Sequence, residues 1–449
     1  MLNTTAKPES TWLVFWMIIC SGIGGILYGY DVGVYSGALP FIRDSLSLST
    51  DQVGFIGGAV FGGGLIGTLA TGYLSDKFGR RTMIIVSSIL FLIGVIALLF
   101  AQLFITILLS RIVMGIGIGI VSVAVPSYLS EIAPTSVRGK SVAVFQLFLT
   151  LGILLAYVID YFFTPSGSWR AMFAVIIVPS IILFITMMRL PESPRWLTAN
   201  GKSREALDIL HRTRSLQEAE KEMQGIVETL NAEHARWRDL FSRKLALALF
   251  LAVFVAVFNQ FTAINGFLQY APDVFRQAGF ASGNTQMEGA MALGLINLIG
   301  TIIALSLVDK LGRRTLLMTG TGGVVLSYIF LALASHANLA PISSLFGLIA
   351  FVFFFAIGPG VVVWLAISEL FPTEVRAKGV AIGLFASSLS AWLVTTVFLQ
   401  IKEVLGLAGT YWLFAACTVV YFIVVAKLLP ETKQRSLEQV QKEMAAKRS

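Results

Sequence analysis

Charged residues fall along this chain in short clusters, and between the clusters run long stretches with almost none. Reading the apolar runs between charges gives twelve: 12–37, 52–74, 83–102, 104–126, 141–163, 171–189, 245–270, 287–308, 316–334, 342–367, 379–400 and 410–429. A helix needs roughly 20 apolar residues to cross a bilayer, so the pattern predicts twelve transmembrane helices. The first run does not read as a cleavable signal peptide, because it is long, carries Gly29-Tyr30-Asp31 and lacks a basic leader and a cleavage site. One long polar stretch, 190–244, follows the sixth run, and within 202–235 Glu, Lys, Leu and Ala recur at helical spacing. The predicted fold is an all-α membrane protein: 1–189 a first six-helix bundle, 190–244 a cytoplasmic helical linker, 245–430 a second six-helix bundle, and 431–449 a cytoplasmic tail.

Composition agrees. Of 449 residues, 56% are hydrophobic and only 13% are charged, against roughly 45–50% and about 25% in soluble domains. The mean hydropathy is +0.81. Cys20 and Cys417 both lie in apolar runs, which excludes a disulfide-stapled fold. Three histidines and two cysteines give no basis for a metal site, and no cofactor is expected. The net charge of +8 could suggest a nucleic-acid partner, but its distribution points elsewhere. With the N-terminus taken as cytoplasmic, 28 of the 33 Lys and Arg residues face the cytoplasm. Arg43, Arg170, Arg276 and Lys402 face outward, and Arg111 lies inside a run. By the positive-inside rule both termini are cytoplasmic, and the charge reports topology in a lipid bilayer. Brief outer loops and short ends point to a bacterial inner membrane, and the chain is expected to act as a monomer. It holds no nucleophile–base set, metal cluster or GxxxxGK[ST] run, so an enzyme is not expected.

The two halves repeat each other. Asp76-Lys77-Phe78-Gly79-Arg80-Arg81-Thr82 returns as Asp309-Lys310-Leu311-Gly312-Arg313-Arg314-Thr315 at an offset of 233. Glu131 and Arg138 return as Glu369 and Arg376 at 238, and Pro191-Glu192 returns as Pro430-Glu431 at 239. Three motifs in one order at nearly one offset indicate a duplicated bundle, a design that places substrate between the halves near mid-membrane. All of these acids and bases sit at cytoplasmic helix ends. Topology alone needs the bases but not the acids, so Asp76, Arg80, Arg81, Glu131, Arg138, Glu192, Asp309, Arg313, Arg314, Glu369, Arg376 and Glu431 are read as ion pairs that close the inner face when the site opens outward. Individually weak surface pairs, about 0–1 kcal/mol each, suit a latch that must open. Gly58, Gly62, Gly63, Gly115 and Gly119 are assigned to close helix approach.

These residues resemble the sugar porter family of the major facilitator superfamily over nearly the whole chain. The marks are Gly29-Tyr30-Asp31-Val32-Gly33, GYLSDKFGRR at 72–81, Arg111 with Gly115, Gly117 and Gly119, Pro191-Glu192-Ser193-Pro194-Arg195-Trp196, Asn259 to Asn265, and Pro430-Glu431-Thr432-Lys433. The resemblance implies a secondary transporter for a monosaccharide.

A sugar presents hydroxyls that donate and accept, and apolar C–H faces, so its site needs amides and an aromatic wall. The amides inside apolar runs are Gln146, Asn259, Gln260, Asn265 and Asn297. Any one alone could equally knit two helices together, but Asn259, Gln260 and Asn265 cluster beside Gly266. The resemblance implies that Gln146, Gln260, Asn265, Asn297 and Trp364 contact sugar. It also exposes departures: Asn259 replaces a glutamine, Ala263 a glycine, and Gln269-Tyr270 a tyrosine pair. Val361 follows Gly358-Pro359-Gly360, and Ser387-Ser388 stands where many members carry an amide and a tryptophan, which makes Ser387 a substrate-binding candidate. Ile153 is shared with the facilitative glucose carriers.

Asp31 and Arg111 are the two charges most clearly inside apolar runs. A lone charge there costs at least about 2.5–3.5 kcal/mol, so the two are expected to pair. Burial favours a protonated carboxyl and a nearby arginine an ionised one, so a change in their separation as the bundles rock would link proton binding to sugar movement. The family resemblance implies the same, an aspartate at this place being typical of its proton symporters. The sequence leaves open a facilitative uniporter and, less favoured by the short tail, a non-transporting sugar sensor.

Overall fold

The computed structural model describes residues 8–134, 137–231, 237–372 and 375–433. Lys7, most of the tail assigned to 431–449 and the end of the linker helix predicted at 202–235 lie outside them, as do Thr135, Ser136, Thr373 and Glu374 in the repeated turns. Among the described residues every regular element is a helix.

The first six spans are α1 (Pro8–Leu46), α2 (Thr50–Phe78), α3 (Arg80–Leu99), α4 (Phe104–Ile132), α5 (Arg138–Phe163), and α6 (Trp169–Ala174) with α7 (Ile177–Arg189). The linker holds α8 (Pro194–Ala199), α9 (Ser203–Thr213), α10 (Leu216–Asn231) and α11 (Trp237–Leu240). The seventh span is broken into α12 (Ala246–Gln260), α13 (Ile264–Gln269) and α14 (Ala271–Gln277). Next come α15 (Gly283–Leu311) and α16 (Arg313–His336), then α17 (Pro341–Ile357) and α18 (Pro359–Glu369), divided where Pro359 removes a backbone donor. The last element, α19 (Arg376–Leu428), is 53 residues long, and Gly406 inside it, at φ 67°, separates two helices. The twelve predicted spans are therefore present. Most helices run past the predicted ends, because hydropathy registers the bilayer core whereas hydrogen bonding carries a helix beyond it.

Helices of the first half approach backbone to backbone. At Gly29 of α1, an added Cβ would strike the Leu149 carbonyl of α5. Gly63, Gly115 and Gly119 close α2 against α4 in the same way. Gly58 and Gly62 also allow close approach, but to Thr396 and Trp392 of α19, in the other half. The halves meet on the face opposite the basic loops. There one buried apolar cluster runs continuously from Tyr35 and Tyr157 to Phe267, Tyr270 and Phe398, whereas a second, around Leu251, Val363 and Phe371, belongs to the second half alone.

The linker is fastened to the first half. Glu222 of α10 accepts from Arg138 at 2.6 Å and from the buried Arg214 at 2.7 Å, and Arg214 also donates to the Ala133 carbonyl at 3.1 Å. Burial lowers the Arg214 pKa from the ordinary arginine value, and Glu222 opposes that shift. On the other side, Lys378 stands 5.9 Å over the Trp237 ring.

Candidate functional site

Tyr30-Asp31 lies midway along α1, and α4 brings Arg111 opposite it. Arg111 Nη1 donates to Asp31 Oδ1 at 2.6 Å, and both side chains are 0% exposed, so the predicted pair is formed. It is incompletely satisfied: Asp31 Oδ2 and Arg111 Nε and Nη2 have no hydrogen-bond partner. The guanidinium is instead flanked by aromatic faces, 5.1 Å from the Tyr35 ring and 5.6 Å from Phe173, a desolvated cation–π arrangement. Both partners belong to the first half, so rocking of the halves does not by itself part them. What the second half supplies is Tyr270, whose ring stands edge-on to Tyr35 with centroids 6.1 Å apart.

The amides gather where the seventh span breaks. Ala263 takes the left-handed conformation at φ 54° that glycine adopts freely. The turn is held by Thr262 Oγ1 donating to the Asn259 carbonyl at 2.7 Å and by the Tyr328 hydroxyl donating to the Thr262 carbonyl. The break swings Asn265 back toward Gln260: Asn265 Nδ2 donates to Gln260 Oε1 at 2.8 Å, and Gln260 Nε2 donates to Ser387 Oγ of α19 at 2.8 Å. Three predicted residues thus form one network. Asn259 is buried beside it with Oδ1 unpartnered. Gln146 on α5, the buried Asn297 on α15 and Trp364 on α18 stand outside the network. Trp364 lies against the apolar cluster of the second half.

Below this network, on the face opposite the basic loops, the halves are shut by contacts that the sequence reading did not single out. The Tyr157 hydroxyl donates to the Leu268 carbonyl at 2.8 Å, Gln400 Nε2 to Asp51 Oδ1 at 3.0 Å, and Thr50 Oγ1 to Glu403 Oε1 at 2.5 Å. On the second-half side of this seam Phe267 stacks with Tyr411, and Tyr270 with Phe398. The many aromatic residues of the chain gave no positional signal for this plug.

On the basic face the repeated motifs build two matching cages. Arg80 lies 3.1 Å from both Asp76 and Glu131, and Arg313 lies 3.1 Å from both Asp309 and Glu369. Ser193 donates to Glu131, and Thr432 to Glu369. Glu192 accepts the Arg81 amide at 3.0 Å, and Glu431 the Arg313 amide at 2.9 Å, each capping the helix that follows the motif. Gly79 and Gly312 sit at φ 96° and 94°, and a Cβ on either would meet that capping carboxylate. Arg81 donates to the Met187 and Met188 carbonyls at 2.8 and 2.7 Å, and Arg314 to that of Ala426. The latch is read for the outward-open state, and this arrangement has the opposite rim shut. Here each cage closes within its own half, Arg138 is held by the linker, and Arg376 begins α19. Asp76 and Asp309 pair four residues along the chain, and Glu131 and Glu369 reach over from the end of a neighbouring helix of the same repeat.

Comparison with known proteins agrees with this architecture. The family model described as sugar (and other) transporter matches residues 17–444. The chain is 34% identical over 439 residues to the galactose-proton symporter of Escherichia coli (strain K12), covering 96% of this chain and 94% of that protein. It is 34% identical over 446 residues to the arabinose-proton symporter of Bacillus subtilis (strain 168), covering 97% and 96%. The partially occluded inward open conformation of the xylose transporter XylE from E. coli superposes with a TM-score of 0.84 at 29% identity, over 94% of this chain and 99% of that one.

Proposed function

This chain belongs to the sugar porter family of the major facilitator superfamily, and we propose that it imports a monosaccharide together with protons by alternating access. The observation that carries the reading is the buried Asp31–Arg111 pair, in which one carboxylate oxygen holds the arginine and the other has no partner. That second oxygen is available to a proton while Oδ1 keeps its hydrogen bond from Arg111, so protonation discharges the ion pair without breaking the contact. The basic face is the cytoplasmic one, so the shut seam is the outer gate and this arrangement faces inward.

The Gln260–Asn265–Ser387 network supplies donors and acceptors for sugar hydroxyls, with Asn259, Gln146, Asn297 and Trp364 as further contacts. Coupling runs through Tyr35, which lies against Arg111 and against Tyr270 of the second half. Opening the outer gate withdraws Tyr270 from Tyr35, lets water reach the guanidinium and changes the field at Asp31. One proton moving down 100 mV supplies about 2.3 kcal/mol, more than a tenfold gradient of sugar. The substrate class, a hexose or pentose, follows from the relatives named for galactose, arabinose and xylose.

The test is uptake into proteoliposomes with a panel of competing sugars and an imposed proton gradient. Uphill accumulation of a monosaccharide with acidification of the lumen supports the reading. Downhill flux that ignores the gradient would make the protein a uniporter.

A further inference from the structure

A second fully buried acid lies outside the network just described. Asp160, near the end of α5, is 0% exposed. Its Oδ2 accepts the Gly37 amide hydrogen of α1 at 3.1 Å, and its Oδ1 has no partner. A Cβ at position 37 would strike this carboxyl, so only glycine lets α1 come so close.

The charged and titratable groups around it are all engaged elsewhere or turned away. On α1, the Tyr30 hydroxyl donates to the Met172 carbonyl at 2.9 Å, Asp31 is bound to Arg111 of α4, and Arg43 reaches Thr50 at 3.4 Å. On α6, Arg170 donates to the Leu99 and Ala101 carbonyls at 3.0 and 2.8 Å and lies over Trp169. On α5 itself, Tyr157 is bound to Leu268 and Tyr161 lies against Phe162, and Glu288 of α15 is exposed. Among the described residues no cation forms an ion pair with Asp160. An ionised carboxylate buried with one amide donor and no counter-charge is strongly disfavoured, and the neutral acid is not.

The position along α5 gives this a consequence. One turn before Asp160, Tyr157 touches Leu268 and Gly294 of the second half; one turn after it, Thr164 lies against Gly283. Asp160 is bracketed by contacts of the gate.

We infer that Asp160 is a second proton-binding carboxyl, separate from Asp31, over whose protonated form the outer gate closes. This rests on the reading of the basic face as cytoplasmic. With the gate open, water reaches the end of α5 and the carboxylate takes a proton from a hydronium ion of the outer solution. An O–H bond forms at Oδ1, one O–H bond of the hydronium breaks, and nothing is oxidised or reduced. On reopening, the proton returns outward. Asp160 therefore sets how external acidity favours closure and leaves unchanged the number of protons carried per sugar.

The test reads the gate directly. Thr396, buried at the gate against Gly58, becomes a reporter as Thr396→Cys in a Cys20→Ala, Cys417→Ala background, labelled in proteoliposomes by an impermeant maleimide over a range of external pH. Gln102→Cys, on an exposed loop, corrects for ionisation of the thiol. Corrected labelling should fall several-fold on acidification with Asp160 present, and should still fall when Asp31→Asn is added. With Asp160→Asn, an isosteric mimic of the neutral acid, labelling should be low and flat across pH, and Asp160→Glu should restore the fall. Should Asp160→Asn fail to fold, Asp160→Ser carries the same comparison. An acid-induced fall that persists without the carboxyl overturns the inference. Uphill accumulation by the parent protein, measured in the same vesicles, separates that outcome from failure of the symport reading.

Discussion

Gln260 Nε2 donates to the Ser387 hydroxyl at 2.8 Å, and this bond ties the helix before the break in the seventh span to α19. Ser387 thereby fixes which way the Gln260 carboxamide points. Removing the hydroxyl by Ser387→Ala forfeits one hydrogen bond, about 1 kcal/mol, and sugar should bind roughly 5-fold more weakly. Gln260→Ala, which takes away both the Ser387 and Asn265 bonds, should weaken binding about 10-fold or more. Equilibrium displacement of a labelled sugar from purified protein measures both, and equal affinities in all three proteins would remove the network from the substrate site.

Asp31→Asn should abolish uphill accumulation and lumen acidification while retaining sugar exchange. It also leaves Arg111 buried without a counter-charge, which should destabilise the protein by about 3–5 kcal/mol. Adding Arg111→Gln should recover a large part of the thermal stability and none of the accumulation. Thermal unfolding in detergent and gradient-driven uptake separate the two effects.

The two capping carboxylates should be worth similar amounts. Glu192→Gln and Glu431→Gln each replace a charged cap at a helix start with a neutral one and should each cost about 1 kcal/mol. Melting temperatures that fall equally support matching roles; a fall in only one would show that the repeats have diverged.

Ala263→Gly is expected to stabilise the protein. The left-handed conformation costs a residue with a Cβ about 1–2 kcal/mol, and glycine relieves that, offset partly by its looser unfolded chain. The melting temperature should rise, and Ala263→Val should lower it. A decrease for glycine would mean that the Ala263 methyl contributes contacts worth more than the strain.

Much of this architecture was legible because hydrophobicity is additive along a helix. Twelve runs located twelve spans, and the repeated Asp-Lys-X-Gly-Arg-Arg boxes identified two equivalent sites. The pairing of Asp31 with Arg111 followed from cost alone, since neither charge is tolerable singly. The partners of Arg80 and Arg313 were not legible as they stand, because a motif at a helix end does not say which neighbouring helix end is nearer. Asp160 escaped because one carboxylate barely lowers the mean of an apolar run, although its presence there was a readable signal. The break at Ala263 gave no local sign beyond the alanine in place of glycine, since the conformation is imposed by the contacts of Thr262 and Tyr328.

The two charge cages each begin and end on their own six spans. Like rivets within separate plates, they stiffen each plate without joining one to the other. The mouth they surround can therefore widen without pulling these opposite charges apart, and the work of the stroke falls on the far rim, where the Tyr157, Gln400 and Thr50 hydrogen bonds and the edge-on Tyr35–Tyr270 contact join the plates. The protein is mechanically lopsided: its hinge resistance resides at one rim, in apolar contact and in hydrogen bonds whose donors, Tyr157, Gln400 and Thr50, are neutral, so added salt should leave the pace of the stroke largely untouched.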